Sequence, residues 1–266
     1  MAPSKSKIDP PVPAENACMD ALHQELDLWQ SMGQKPRLFL RDDDAIEVTP
    51  ALEKLIASCE NFSVPLLLAT IPKPASKALG ARVRKSPLVR GAVHGYRHRN
   101  YSPEGVKTCE LGNHRPLETV LGELREGREK LLELFDGNLS DIIVPPWNRI
   151  HDEIINELQE LGFKGLSIHA WLKHEMPLPM VNTHVDIMHW SAGTIGREHN
   201  WVLNQVTLNL EIARKKGGRA IGILSHHLAH DDKAWAMLDK LYATLEGKVD
   251  WVTADSLISE PAEPIS

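Results

Sequence analysis

Four short segments of this 266-residue chain carry side chains that can do chemistry. Asp42-Asp43-Asp44 places three carboxylates in a row. His94 and His98 are four residues apart. Pro145-Pro146-Trp147-Asn148 joins two prolines to an aromatic and an amide. Ser225-His226-His227, with His230 close behind, is rich in imidazole. Adjacent carboxylates repel one another, so burying them together is unfavourable without a cation. Side chains alternate along an extended strand, so Asp42 and Asp44 would share a side unless a turn begins there. Imidazoles four apart share a face where the segment enters a helix, and neutral imidazole binds zinc and similar ions. Two histidines and one carboxylate leave positions open for water, as a catalytic metal site requires. His226 follows an apolar strand and has a proton affinity suited to general acid catalysis. His227 and His230 compete for that role from further along the chain. Trp147 can be a sugar-stacking wall or ordinary core; Trp171 and Trp190 are expected in the core.

The elements that must position these residues alternate along the chain. Apolar strand candidates are Arg37–Arg41, Pro65–Ile71, Leu88–His94, Asp141–Val144, Gly165–His169, Val181–Met188, Arg219–Ser225 and Val249–Val252. Helical stretches lie between most of them. Thr49 and Pro50 form a cap and first turn for Ala51–Cys59. Leu117–Phe135 is long, charged and helical; His151–Leu161 stops at Gly162. Trp201–Lys216 and Asp231–Leu245 also stop at glycines. This alternation predicts an α/β fold with a mainly parallel sheet, closed into a (β/α) barrel of about seven or eight strands. In such a barrel the strand C-terminal ends open on one face, so all four segments converge there. Residues 1–33 are expected to be an N-terminal extension with one helix, Ala17–Met32, behind a disordered Pro-, Lys- and Ser-rich start. Residues 34–266 would form the barrel domain.

Composition excludes other classes. Net charge is −6, so no global basic field invites nucleic acid. The one basic run, Arg82-Val-Arg-Lys85, is expected to be a solvated loop or helix end. Three scattered cysteines form no CxxC pair, which disfavours a thiolate zinc site and fits a reducing compartment. No apolar run predicts a secretory signal or a membrane span, so a cytoplasmic location is expected.

The set of segments resembles the polysaccharide deacetylases, the carbohydrate esterase family 4 or NodB-like domains. Asp43-Asp44-Ala45 is similar to the end of that family's first motif, and His94-Gly-Tyr-Arg-His98 to its second. Val144-Pro145-Pro146-Trp147 partly matches the third, and Leu224-Ser225-His226 the last, in the family's order across roughly residues 37–255. The resemblance implies a distorted (β/α) barrel in which Asp44, His94 and His98 hold a divalent metal. That metal is usually zinc, with cobalt, manganese or nickel as alternatives. It implies Asp43 as general base and His226 as general acid; a register shifted by one would make Asp42 the base and Asp43 the ligand. Pro146, Trp147, Arg149 and Tyr96 are the expected substrate-binding residues.

The implied activity is removal of N-acetyl or O-acetyl groups from a small or oligomeric sugar. Hydrolysis of another amide or ester on the same site is the alternative. Two departures stand out. Gly95 replaces the hydroxyl residue usual between the histidines. Val144 stands where the third motif carries an arginine that orients the base; Arg41, Arg97 and Arg149 are candidate substitutes. That missing arginine favours a third reading, an inactive metal-retaining sugar-binding protein. Asp186 to Trp190 is a loose echo of the fourth motif.

Overall fold

The computed structural model describes residues 13–171 and 176–260. Most of the segment expected to be disordered, residues 1–12, lies outside them. In chain order the elements are α1 (Glu15–Ser31), β1 (Arg37–Ala45), α2 (Pro50–Asn61), β2 (Leu66–Thr70), α3 (Lys77–Arg84) and β3 (Val89–Val93). Then come α4 (Leu117–Phe135), β4 (Leu139–Ile143), α5 (Asp152–Glu157), β5 (Gly165–Leu166), β6 (Thr183–Asp186), β7 (Met188–His189) and β8 (Ile195–Gly196). The last are α6 (His199–Lys215), β9 (Ile221–Ser225), α7 (Asp232–Leu245), β10 (Asp250–Trp251) and α8 (Ala254–Leu257).

The strands run parallel in the order β5-β4-β3-β2-β1-β9-β6, with β10 added to the start of β1. Isolated parallel bridges from Leu166 to Met180 and from His169 to Thr183 join the β5 edge to the β6 edge. The sheet therefore curls into the distorted barrel that the strand–helix alternation predicts. Two apolar layers follow from strand alternation. Outside, Leu38, Leu40, Leu66 and Leu68 meet the helices. Inside, Phe39, Leu67, Ala69, Ala92, Ile142 and Val144 fill the barrel. Gly222 on β9 makes room for this filling, since a Cβ there would lie 2.5 Å from the Phe39 ring. Residues Ala254 and Leu257 of α8 pack against the same inner cluster.

Local signals are borne out where they are strong. The Thr49 side chain accepts from the Leu52 amide at 3.1 Å and caps α2. The basic run is the end of α3, a helix the sequence reading does not contain; Arg82 and Arg84 occupy its last turn. The expected strand Val181–Met188 is broken. After Asp186 the chain leaves the barrel, and β7 pairs antiparallel with β8 in a small separate ribbon. Helix α1 is bound to the barrel wall: Cys18, Leu22 and Trp29 are buried, and Glu25 makes a two-pronged ion pair with Arg214 on α6, at 2.8 and 3.0 Å. Full burial of a side chain such as Leu22 contributes about 1.5–3 kcal/mol, so this helix is part of the folded body.

Candidate active site

Strand β1 sets the site. Arg41 and Asp43 share the inner face, above Phe39. Asp42 faces outward, where alternation puts it. Alternation would also put Asp44 outward, but the register slips between Asp42 and Ala45, where one extra residue sits on β1. Asp44 takes φ +76° there, a left-handed conformation that a non-glycine residue adopts at a cost. Such a bulge re-aims a side chain, and Asp44 turns to the barrel mouth.

There it meets the two histidines. Asp44 Oδ1 lies 3.2 Å from His94 Nε2 and 3.3 Å from His98 Nε2. The ligand atoms of these three residues all lie within 4.8 Å of one another, and no other such group exists among the described residues. The His94 backbone continues the β3 ladder through a 2.9 Å bond to Thr70 O. Its Nδ1 sits 2.8 Å from Val144 O. A carbonyl only accepts, so Nδ1 carries a proton, and Nε2 is the ring nitrogen turned to Asp44. His98 takes φ +53°; it enters no helix, and a turn rather than helical spacing brings it beside His94. Burial opposes ionisation of Asp44, but the hydrogen bond and charge of His94 outweigh it and hold the carboxyl well below its usual range. Burial opposes protonation of His94, yet Asp44 and Asp43 raise its pKa; for the half-buried His98 burial wins and lowers it. One carboxylate oxygen and two imidazole nitrogens, one with its tautomer fixed, suit a divalent cation of the zinc type.

Asp43 sits beside this group and is held by Arg41. The buried guanidinium donates from Nε to Asp43 Oδ1 at 2.9 Å and from Nη2 to Oδ2 at 3.0 Å. Its other hydrogens reach Ser167 Oγ at 2.8 Å and Asn148 Oδ1 at 2.8 Å. Of the three candidate substitutes for the missing arginine, Arg41 is thus the one that touches Asp43. Arg97 pairs with Glu123, and Arg149 donates to the Thr108 carbonyl and hydroxyl. His226 Nε2 is 3.9 Å from Asp43 Oδ2, and the buried Nδ1 of His226 has no hydrogen-bond partner. The other two histidines stand back from the mouth. His227 is buried and pairs through Nδ1 with Asp42. His230 is packed on Trp235, and burial lowers its pKa to about 4.

The expected substrate-binding residues lie in different surroundings. Tyr96 is buried, and its hydroxyl donates to Glu126 on α4, away from the histidines. Arg149 is committed to Thr108 and holds a loop. Pro146 is buried with its ring against Gly95. Only Trp147 meets the site, its ring centroid 4.2 Å from that of His98, on a backbone with φ +54°. Trp190, expected in the core, is 46% exposed. It stands edge-on to His226 at 4.6 Å, and its Nε1 donates to Asp186 at 2.8 Å. Trp171 is half-buried against His184. His169 belongs to none of the four reactive segments. It is exposed, two residues beyond the buried Ser167; its Nδ1 is 3.1 Å from Thr183 Oγ1.

The arrangement has parallels among solved structures. A putative polysaccharide deacetylase from Mycobacterium smegmatis is similar, with a TM-score of 0.61 and 16% identity over 81% of this chain and 80% of its own. The family 4 carbohydrate esterase from Streptomyces lividans, in complex with acetate, has a TM-score of 0.54 and 12% identity, over 86% of this chain and 98% of its own. The chain has the NodB-like deacetylase fold. A mutant of BA3943, a CE4 family pseudoenzyme with restored enzymatic activity, shares this NodB-like fold too. Its TM-score is 0.57 at 13% identity, over 86% of this chain and 69% of its own. No family model matches the sequence, and no curated protein does.

Proposed function

We propose that the protein is a metal-dependent hydrolase that removes acetyl groups from an N- or O-acetylated carbohydrate. One observation carries this reading: the Asp44–His94–His98 group lies beside a carboxylate clamped by Arg41 and an imidazole facing that carboxylate. Asp44, His94 and His98 would hold a divalent cation, zinc being the best match to one oxygen and two imidazole nitrogens. When bound, such a cation polarises an acyl oxygen and lowers the pKa of water towards about 7.

The chain's own residues supply the proton transfers. Asp43 takes the proton of the attacking water as the acyl carbon becomes tetrahedral. Arg41 grips both oxygens of that carboxylate and fixes its direction, so Asp43 acts without reorganising. His226 gives a proton to the departing amine or alcohol, because an amide anion is too basic to leave in water. The amides of Tyr96, Arg97 and His98 are bonded to Glu110; none of them is available to an oxyanion. Trp147 and Trp190, beside His98 and His226, bound the space a sugar ring would enter.

The rival reading is a metal-retaining protein without activity, which the pseudoenzyme neighbour keeps open. Arg41 argues against it, since the orientation that the third motif would have supplied comes from β1 instead. Acetate release from a panel of N- and O-acetylated sugars, on chelated and zinc-restored protein, tests the proposal. Release that needs metal supports it; sugar binding without release from any member favours the rival. Hydrolysis confined to acyl esters or cyclic amides would move the chemistry to another substrate on the same site.

A further inference from the structure

Glu110 is fully buried, and among the described residues no Lys, Arg or His side chain forms an ion pair with it. A buried carboxylate is costly unless its oxygens are bonded. Three consecutive amides do this. Tyr96 N donates to Oε2 at 3.2 Å, Arg97 N to Oε1 at 2.9 Å and His98 N to Oε2 at 3.1 Å. The three N–H groups converge because the backbone takes φ +59° at Gly95 and φ +53° at His98, which makes a concave nest for an anion. Gly95 is part of the same device. A Cβ at this position would lie 2.2 Å from Glu110 Oε2 and 2.6 Å from Pro146 Cγ, so the carboxylate occupies the room a side chain would take. Glu110 is itself fixed, because the next residue, Leu111, bridges Ile150 and accepts from the His151 amide at 2.8 Å.

We propose that Glu110 is a positioning residue for the metal centre, presetting the turn 95–98 so that His98 Nε2 faces Asp44 before any cation arrives. It touches neither cation nor substrate and acts through three backbone amides. The inference rests on the metal-binding reading above. It adds a residue that no motif contains, and it explains why glycine occupies position 95. Without Glu110 the amides would have to find other partners, and the left-handed residue at 98 would lose what holds it.

The test is zinc affinity by competition with a chromophoric chelator, and the visible absorption of the cobalt-loaded protein. Glu110→Gln replaces an acceptor with a donor facing N–H groups; its zinc affinity should fall about 10–100-fold, and its cobalt spectrum should change as in His98→Ala. Gly95→Ala, which would expel the carboxylate, should do the same. The double variant should cost no more than either alone, because the two changes break one device. A third measurement needs no variant: amides 96–98 of metal-free wild-type protein should be protected from hydrogen exchange. Wild-type affinity and spectrum in Glu110→Gln, additive losses in the double variant, or unprotected amides 96–98 would each overturn the inference. Wild-type protein that takes up no zinc is a different failure, since it removes the metal reading itself and this inference with it.

Discussion

Asp42 and Asp43 are neighbours on one strand, yet they serve different regions of the molecule. Asp42 lies outside the barrel wall, between sheet and helices, and every bond it makes is internal. It accepts from Ser225 Oγ at 2.6 Å and from the His227 amide at 2.8 Å, and pairs with His227 Nδ1. Asp43, held by Arg41, is turned to the mouth with His226 opposite. In the outer pair both Asp42 oxygens are satisfied, and the buried His227 Nε2 is left without a hydrogen-bond partner. In the inner group three ligand atoms, of Asp44, His94 and His98, lie within 4.8 Å of one another, and His226 faces a carboxylate 3.9 Å away. Three like charges in a row are tolerable because each is sent to a different partner. Composition thus locates chemistry only to within a residue or two, and strand alternation plus one bulge sets which way each carboxylate faces.

The contrast can be broken in order of effect. Asp44→Ala should abolish metal-dependent acetate release and leave less than one equivalent of zinc by metal analysis; full occupancy would remove Asp44 from the ligand set. Asp43→Asn should lower turnover about 10²–10⁴-fold with zinc retained, and unchanged turnover at full zinc would reject its role as base. Arg41→Lys keeps the charge but loses the fork that grips both oxygens. Turnover should fall about tenfold or more with little change in zinc affinity, measured as kcat on the best sugar. Asp42→Asn should do the reverse, leaving turnover near wild type while destabilising the fold by about 3 kcal/mol, read by denaturant unfolding.

The smallest effect is the pH dependence of that last loss. Burial opposes the charge on Asp42, but His227 outweighs it and holds the carboxyl below its usual range. Burial opposes protonation of His227, and Asp42 outweighs it in turn and raises the imidazole. The carboxylate's contribution is present above about pH 4 and lost as pH falls further. The imidazole's is complete below about pH 6.5 and lost as pH rises through its raised value. The gap in melting temperature between metal-free wild type and Asp42→Asn should therefore be widest at about pH 5–6 and narrow towards pH 9. A gap that grows with pH would contradict the ion pair.

Much of this is legible in the sequence. Apolar runs and capping residues place the strands and most helices, since local sterics and one buried face per element decide them; Leu117–Phe135 is an example. Parallel strands then bring the four reactive segments to one end. The residues that the sequence did not reveal act across long separations. Arg41 reaches Ser167 and Asn148, and Glu110 reaches back to amides 96–98. Helix α3 has too short an apolar repeat to stand out beside its basic end. Trp190 looks like core by type, yet β7 and β8 carry it out to the mouth.

By itself, the sequence determined the barrel, the end of it that carries the chemistry and the residue types gathered there, because periodicity and turn chemistry are local. Only the tertiary structure decided which of three aspartates faces the histidines, which arginine holds Asp43 and which carboxylate accepts from the amides of the turn at His98. Those outcomes depend on a bulge, two left-handed residues and buried charges seeking partners from distant strands, and no short-range pattern encodes them.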